Sequence, residues 1–137
     1  MSEAEARAET EIRGLIEDWA KAVRARDIDK VVAFHTDDMV MFDVPPPVAV
    51  RGIDGYRETW PQFFEWQRKV DGSFEIAFLE VTAGDDVAFA TALLRCAPRA
   101  ELKKDDTPRL RLTVGLRKDR GRWVIAHEHH SFPASSE

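Results

Sequence analysis

The apolar positions follow two periods, and the change from one to the other divides the chain. Ile12, Leu15, Ile16, Trp19 and Val23 recur at gaps of 3, 1, 3 and 4, one stripe on a helix of about 20 residues. Ser2 and Glu5 have the spacing of a capping box at its start. Gly14 lies within the stripe and costs about 1 kcal/mol against alanine. Asp27 or Asp29 starts a second, short helix carrying Ile28, Val31 and Val32. Asp38 to Asp43 reads as a strand, ended by Pro45-Pro46-Pro47 because proline cannot donate to a ladder. After Arg51-Gly52, Asp54 is the expected N-cap of a third helix. Tyr56, Trp60 and Phe63 or Phe64 recur there at helical spacing, and Pro61 is expected to kink or restart it.

Past residue 72 the pattern becomes that of strands. Four are expected, at roughly Ser73–Thr82, Asp86–Cys96, Pro108–Lys118 and Arg122–Phe132. Their separators are Ala83-Gly84-Asp85, a charged loop at Pro98–Thr107, and Asp119-Arg120-Gly121. Helices first and consecutive strands last predict an α+β fold. The expected architecture is a cone over residues 1–137. A long N-terminal helix and two shorter ones pack on a strongly curved antiparallel sheet of about five or six strands, leaving a cavity between. The length suits one domain.

Composition narrows the partners. The chain is 44% hydrophobic and 33% charged, with a net charge of −5. Phosphate binding needs a basic surface, so no nucleic-acid partner is expected. No apolar run approaches the roughly 20 residues of a membrane span. The first residues, Met-Ser-Glu-Ala-Glu-Ala-Arg, are charged and carry no apolar signal region, which predicts a cytoplasmic protein. The single cysteine, Cys96, leaves no partner for an internal disulfide and reads as a buried strand thiol.

The candidate chemistry gathers in the last strand, which holds three of the four histidines. Strict alternation puts Trp123, Ile125, His127, His129 and Ser131 on one face, and Val124, Ala126, Glu128, His130 and Phe132 on the other. Either face could line the cavity. His127 and His129 could chelate an ion, but only His35 or a carboxylate is left to complete the set, so no metal is expected. Arg109, Arg111 and Thr113 share a face of the preceding strand. That face is either solvated or buried against an anion such as Glu128. Asp43, before the prolines, is either a turn aspartate or a pocket carboxylate beside apolar neighbours. Trp19, Tyr56, Trp60 and Phe63 read as core and as pocket walls together. Bulky groups left on the uncovered sheet face, Trp123 and Ile125 with Phe89 and Leu93, predict a homodimer.

The element order, the Asp38–Pro45 strand, the Arg51-Gly52 turn and the closing Trp-x-x-x-His-x-His-x-Ser resemble the nuclear transport factor 2-like superfamily. They are most similar to its SnoaL-like and ketosteroid-isomerase-like branch, which implies a cystatin-like cone. Within Ile16–Pro45 the similarity to ketosteroid isomerase puts Asp43 at that enzyme's general-base aspartate. Its oxyanion tyrosine falls on Trp19, which has no hydroxyl, and the strand Pro108–Lys118 offers no second acid. The last strand also resembles the association domain of calcium/calmodulin-dependent protein kinase II. That resemblance implies a pocket lined by Arg111, Thr113, Glu128 and His130, with His127 and His129 facing a subunit contact. The expected function is therefore binding of a small, mostly apolar molecule bearing an acidic or carbonyl group. Cofactor-independent proton transfer (isomerase, cyclase or dehydratase chemistry) is the catalytic version. Asp43 is then the base, and His130, or else Tyr56, the oxyanion donor. The alternative is a non-catalytic ligand-binding or oligomerisation domain.

Overall fold

A computed structural model of the chain describes residues 2–135. Helix α1 (Glu3–Arg24) starts where Ser2 accepts from the Glu5 amide at 3.1 Å. It buries Ile12, Ile16, Trp19 and Val23, as the stripe predicts, and Leu15 is half-buried. Helix α2 (Ile28–Ala33) is capped by Asp27, not Asp29. Strand β1 (His35–Phe42) begins three residues earlier than expected, and β2 (Val50–Arg51) is a short edge strand. Helix α3 (Ile53–Val70) continues through Pro61. Its N-cap is Gly52 rather than Asp54, which lies in the first turn. Gly52 has φ 85°, a backbone region that favours glycine, and its amide meets the Met39 carbonyl at 2.7 Å.

Strands β3 (Glu75–Ala83) and β4 (Val87–Arg95) form a hairpin, and so do β5 (Leu110–Asp119) and β6 (Arg122–Ser131). A fourth helix, α4 (Arg99–Leu102), sits inside the charged loop where none was expected. The sheet order is β2-β1-β6-β5-β4-β3. Neighbours are antiparallel except β1 and β6, which run parallel, so the expected all-antiparallel sheet is a mixed one. The parallel pair follows from the path of the chain. α3 and the β3–β5 strands separate β1 from β6, a separation long enough for a crossover.

One irregularity decides which side chains face the helices. Gly115 pairs with His127 and Leu116 with Ile125, so Ala126 is an extra residue in β6. Such a bulge reverses the alternation. Trp123 and Ile125 before it, and Glu128 and His130 after it, all point into the core. The two faces expected from strict alternation are thus each split at Ala126. β5 has its own regular alternation, with Leu110, Leu112, Val114 and Leu116 buried and Arg111, Thr113 and Arg117 exposed. Trp123 and Ile125 are therefore core residues, not part of an outer patch. The outer face carries Phe78 and Phe89 instead, with Phe42 at one side.

Candidate active site: a buried Glu128 network behind an aromatic cavity

Glu128 is fully buried, and three elements converge on it. From α3, the Tyr56 hydroxyl donates to its Oε2 at 2.6 Å. From the start of β1, His35 Nε2 bonds the same oxygen. Two residues along β6, His130 Nε2 bonds Oε1 at 2.7 Å. Behind Tyr56, the Trp19 indole N–H donates to its hydroxyl at 3.0 Å. A buried carboxylate costs several kcal/mol unless it is paired and hydrogen-bonded. Here every approach to it brings a donor.

The charges follow from this geometry. Burial alone would push the Glu128 carboxyl up. N–H bonds from His35 and His130, with the positive charge held by that imidazole pair, outweigh burial and bring it down to about 2. Burial alone would likewise lower His130. Its bond to Glu128 and the negative charges of Glu128 and Asp43 outweigh that and raise it above the usual 6.5. Burial, then the Glu128 charge, drives the Tyr56 hydroxyl well above its usual value, so it remains a donor.

On the far side of His130 lies a cavity of about 230 Å³. Its walls are aromatic: Trp60, Phe63 and Trp66 from α3, with Phe74 and Phe132. Gly72 lets Trp66 lie flat against the chain, since a Cβ there would stand 2.5 Å from the indole. The polar groups on the wall include His130, Asp43 at the end of β1, and Cys96 at the end of β4. Among the described residues nothing bonds His130 Nδ1, the ring nitrogen left over from Glu128. Asp43 is half-buried, and its Oδ1 accepts from the Val44 amide at 2.8 Å. That is the local bond of a turn aspartate, and Asp43 also lines the cavity, so the two readings of this residue hold together. Burial, with the Asp43 charge, pushes the Cys96 thiol up to about 12, so it stays protonated.

The residues expected at the site separate into three places. Asp43, His130 and Trp60 share the cavity. Glu128, Tyr56 and Trp19 lie behind its wall in the network. Tyr56 cannot serve as the oxyanion donor, because its hydroxyl is given to Glu128. Arg111 and Thr113 are on the opposite side of the sheet and do not line the cavity, contrary to the expectation. Arg111 reaches Ser131 Oγ at 3.0 Å and the Phe132 carbonyl at 3.1 Å, so it fixes the strand end rather than Glu128. His127 and His129 also face outward beside Phe42, with ring centroids 5.0 and 5.4 Å from it. His35 is inside, so the imidazoles do not converge on one ion. Among the described residues no group of three or more His, Cys, Asp or Glu could hold a metal. No described helix is long and apolar enough to cross a membrane.

The sequence alone does not assign His35, Cys96 or the wall residues Trp66, Phe74 and Phe132 to the site. In the sequence His35 reads only as a spare metal ligand, yet it anchors Glu128. Cys96 reads as a buried strand thiol, yet it borders the cavity. A histidine opening a strand gives no signal of a partner 93 residues away.

Comparison with known proteins agrees with this architecture. Residues 12–135 match the model of the SnoaL-like domain, and the chain belongs to that family. An NTF2-like protein from Pseudomonas putida is 38% identical over 96% of this chain and 91% of its own, with TM-score 0.82. A ketosteroid isomerase-like protein from Erwinia carotovora atroseptica is 25% identical over 92% and 96%, with TM-score 0.64. An NTF2-like protein with a cystatin-like fold from Novosphingobium aromaticivorans shares 16% identity over 93% and 82%, with TM-score 0.73. A search of curated proteins finds no match.

Proposed function

We propose that the protein binds a small, mostly apolar molecule with a carbonyl or acidic group in the aromatic cavity, and moves a proton next to that carbonyl. The observation that carries this reading is that the Asp43 carboxylate and the His130 ring wall one cavity. Proton abstraction beside a carbonyl needs a base and a donor for the oxygen that gains charge. Asp43 takes the proton from carbon. The electron pair moves to the carbonyl oxygen, and His130 Nδ1–H donates to that oxygen. Return of the proton to another carbon gives isomerisation, and loss of a neighbouring leaving group gives elimination. The similarity to a ketosteroid isomerase-like protein supports the class, not the substrate.

The test is hydrogen–deuterium exchange at the carbon beside the carbonyl of small ketones, followed by NMR in D2O. Asp43→Asn is expected to lose exchange while ligand-induced thermal stabilisation persists. His130→Gln is expected to slow exchange by about 10²–10³-fold, the usual cost of one oxyanion donor. Exchange unchanged in Asp43→Asn would remove the base from the mechanism. If neither ketones nor acids stabilise the wild type, the cavity is not a binding site, and the reading reduces to a non-catalytic accessory domain.

A second proposal concerns the outer face. Phe78 and Phe89 are about half exposed there, 48% and 52%, and their β-sheet neighbours on that face include Leu93. Apolar groups grouped on one face usually mark an interface, and a second copy of this chain is the proposed occupant. Light scattering at micromolar concentration is expected to give a dimer mass, reduced to a monomer by Phe89→Glu; a wild-type monomer refutes it.

A further inference from the structure

The cavity and the network together say what kind of molecule fits. An apolar cavity of about 150 Å³ holds one benzene ring. On that scale about 230 Å³ holds about ten non-hydrogen atoms, one ring with a short substituent. A four-ring ketone exceeds it.

The charges on and behind the wall narrow the choice further. Glu128 is one negative charge between two imidazoles. A second imidazolium there would be buried and uncompensated. His35 Nδ1 is buried with no partner, so a proton on it would be a donor with nothing to receive it. His130 lines the cavity, its Nε2 is taken by Glu128, and its Nδ1 is not among the buried unpartnered atoms, so ligand or water can accept from it. The single positive charge therefore belongs on His130, and Glu128 balances it. The groups facing His130 are then Glu128 on its own strand, His35 from β1, Tyr56 and Trp19 from the helices, and Asp43 and Cys96 across the cavity. With the Glu128–His130 pair neutral overall, Asp43 leaves the wall net negative. A carboxylate ligand meets that charge. A neutral carbonyl does not, and it gains the Nδ1–H donor.

We propose that the site selects small neutral carbonyl compounds over carboxylates, and that Glu128 is the positioning residue, turning His130 Nδ1–H toward the cavity and balancing its charge. The ligand half of this rests on the binding reading above; the Glu128 half does not. Negative charge then travels from Asp43 to the carbonyl oxygen without any net charge entering the cavity.

Acetophenone and benzoate, similar in size and shape, are the probes, with a four-ring ketone as the oversized control. Binding is read by NMR titration and His130 by its ring 15N shifts in ligand-free protein. The wild type is expected to bind acetophenone more tightly than benzoate and not to bind the four-ring ketone. Asp43→Asn is expected to raise benzoate affinity about tenfold, the scale of one partly screened charge. The wild-type 15N shifts are expected to show both His130 nitrogens protonated near pH 6.5, and Glu128→Gln to lower the midpoint of that ring. Benzoate binding more tightly than acetophenone, or no gain in Asp43→Asn, overturns the selection while leaving the cavity a binding site. No binding by either probe overturns the selection and counts against the binding reading as well. A wild-type His130 that is neutral at that pH overturns the role of Glu128. So does a midpoint unmoved by Glu128→Gln. If that variant fails to fold, the wild-type shifts still decide.

Discussion

Two carboxylates sit on either side of the His130 ring, and their surroundings give them opposite work. Glu128 is fully buried, with Tyr56, His35 and His130 bonded to its oxygens. Asp43 is half-buried at the strand end, bonded to one neighbouring amide, and lines the cavity. The first cannot accept a proton without breaking several bonds at once. The second can. A site needs both kinds, one fixed charge that orients the ring and one available charge that reacts. The surface repeats the lesson in weaker form. Arg57–Asp29 and Arg117–Asp38 are exposed ion pairs, a type usually contributing less than about 1 kcal/mol.

The comparison breaks most clearly at Glu128. Glu128→Ala leaves the His130 charge and two other donors without an acceptor. Loss of one partner from a buried pair costs about 3–5 kcal/mol, so urea unfolding is expected to show the largest stability loss among substitutions at these sites. A loss below about 1 kcal/mol would mean that water replaces the carboxylate.

Acid should act on the same group. The Glu128 carboxyl is brought from 4.5 in an ordinary setting to about 2. Its pKa is depressed on folding, so its stabilisation is complete above about 4.5 and lost as pH falls toward 2. At about 1.4 kcal/mol per unit this is about 3 kcal/mol. His130 is shifted the other way. Its pKa is raised on folding from 6.5, so its share is complete below that value and fades as pH rises through the folded value. The pair therefore stabilises most between about pH 4.5 and 6.5. Unfolding free energies across pH 2–9 for the wild type and Glu128→Gln check this, because the variant should lose the acid limb.

Tyr56→Phe is milder. It takes one donor from Glu128 and the acceptor from the Trp19 indole. Unsatisfied buried groups cost about 1–3 kcal/mol, and a drop in thermal midpoint is the readout. The smallest effects belong to Asp43→Asn and Arg111→Ala, within about 0.5 kcal/mol. Equal stability losses at Asp43 and Glu128 would erase the distinction between the two carboxylates.

The sequence by itself determined the long elements, but not α4 and β2, which are too short to show a period. The stripe through Ile12, Ile16, Trp19 and Val23 could only be one buried helix face. The strands from residue 73 onward were found to within about three residues at each end, because period and turn residues are local properties. Asp43 and His130 were legible only through two separate resemblances, Asp43 through ketosteroid isomerase and His130 through the kinase association domain; that they line one cavity came from the fold. What only the tertiary structure decided was which side of each strand faces in. Alternation defines two faces but not their direction, and one inserted residue, Ala126, reverses it midway along β6. Hence Glu128 and His130 lie under the helices with Trp123 and Ile125, while Arg111 and Thr113 lie outside. Burial of Glu128 depends on Tyr56 and His35, 72 and 93 residues away in the chain. A buried charge is stable only where folding brings its partners, and no local pattern records that meeting.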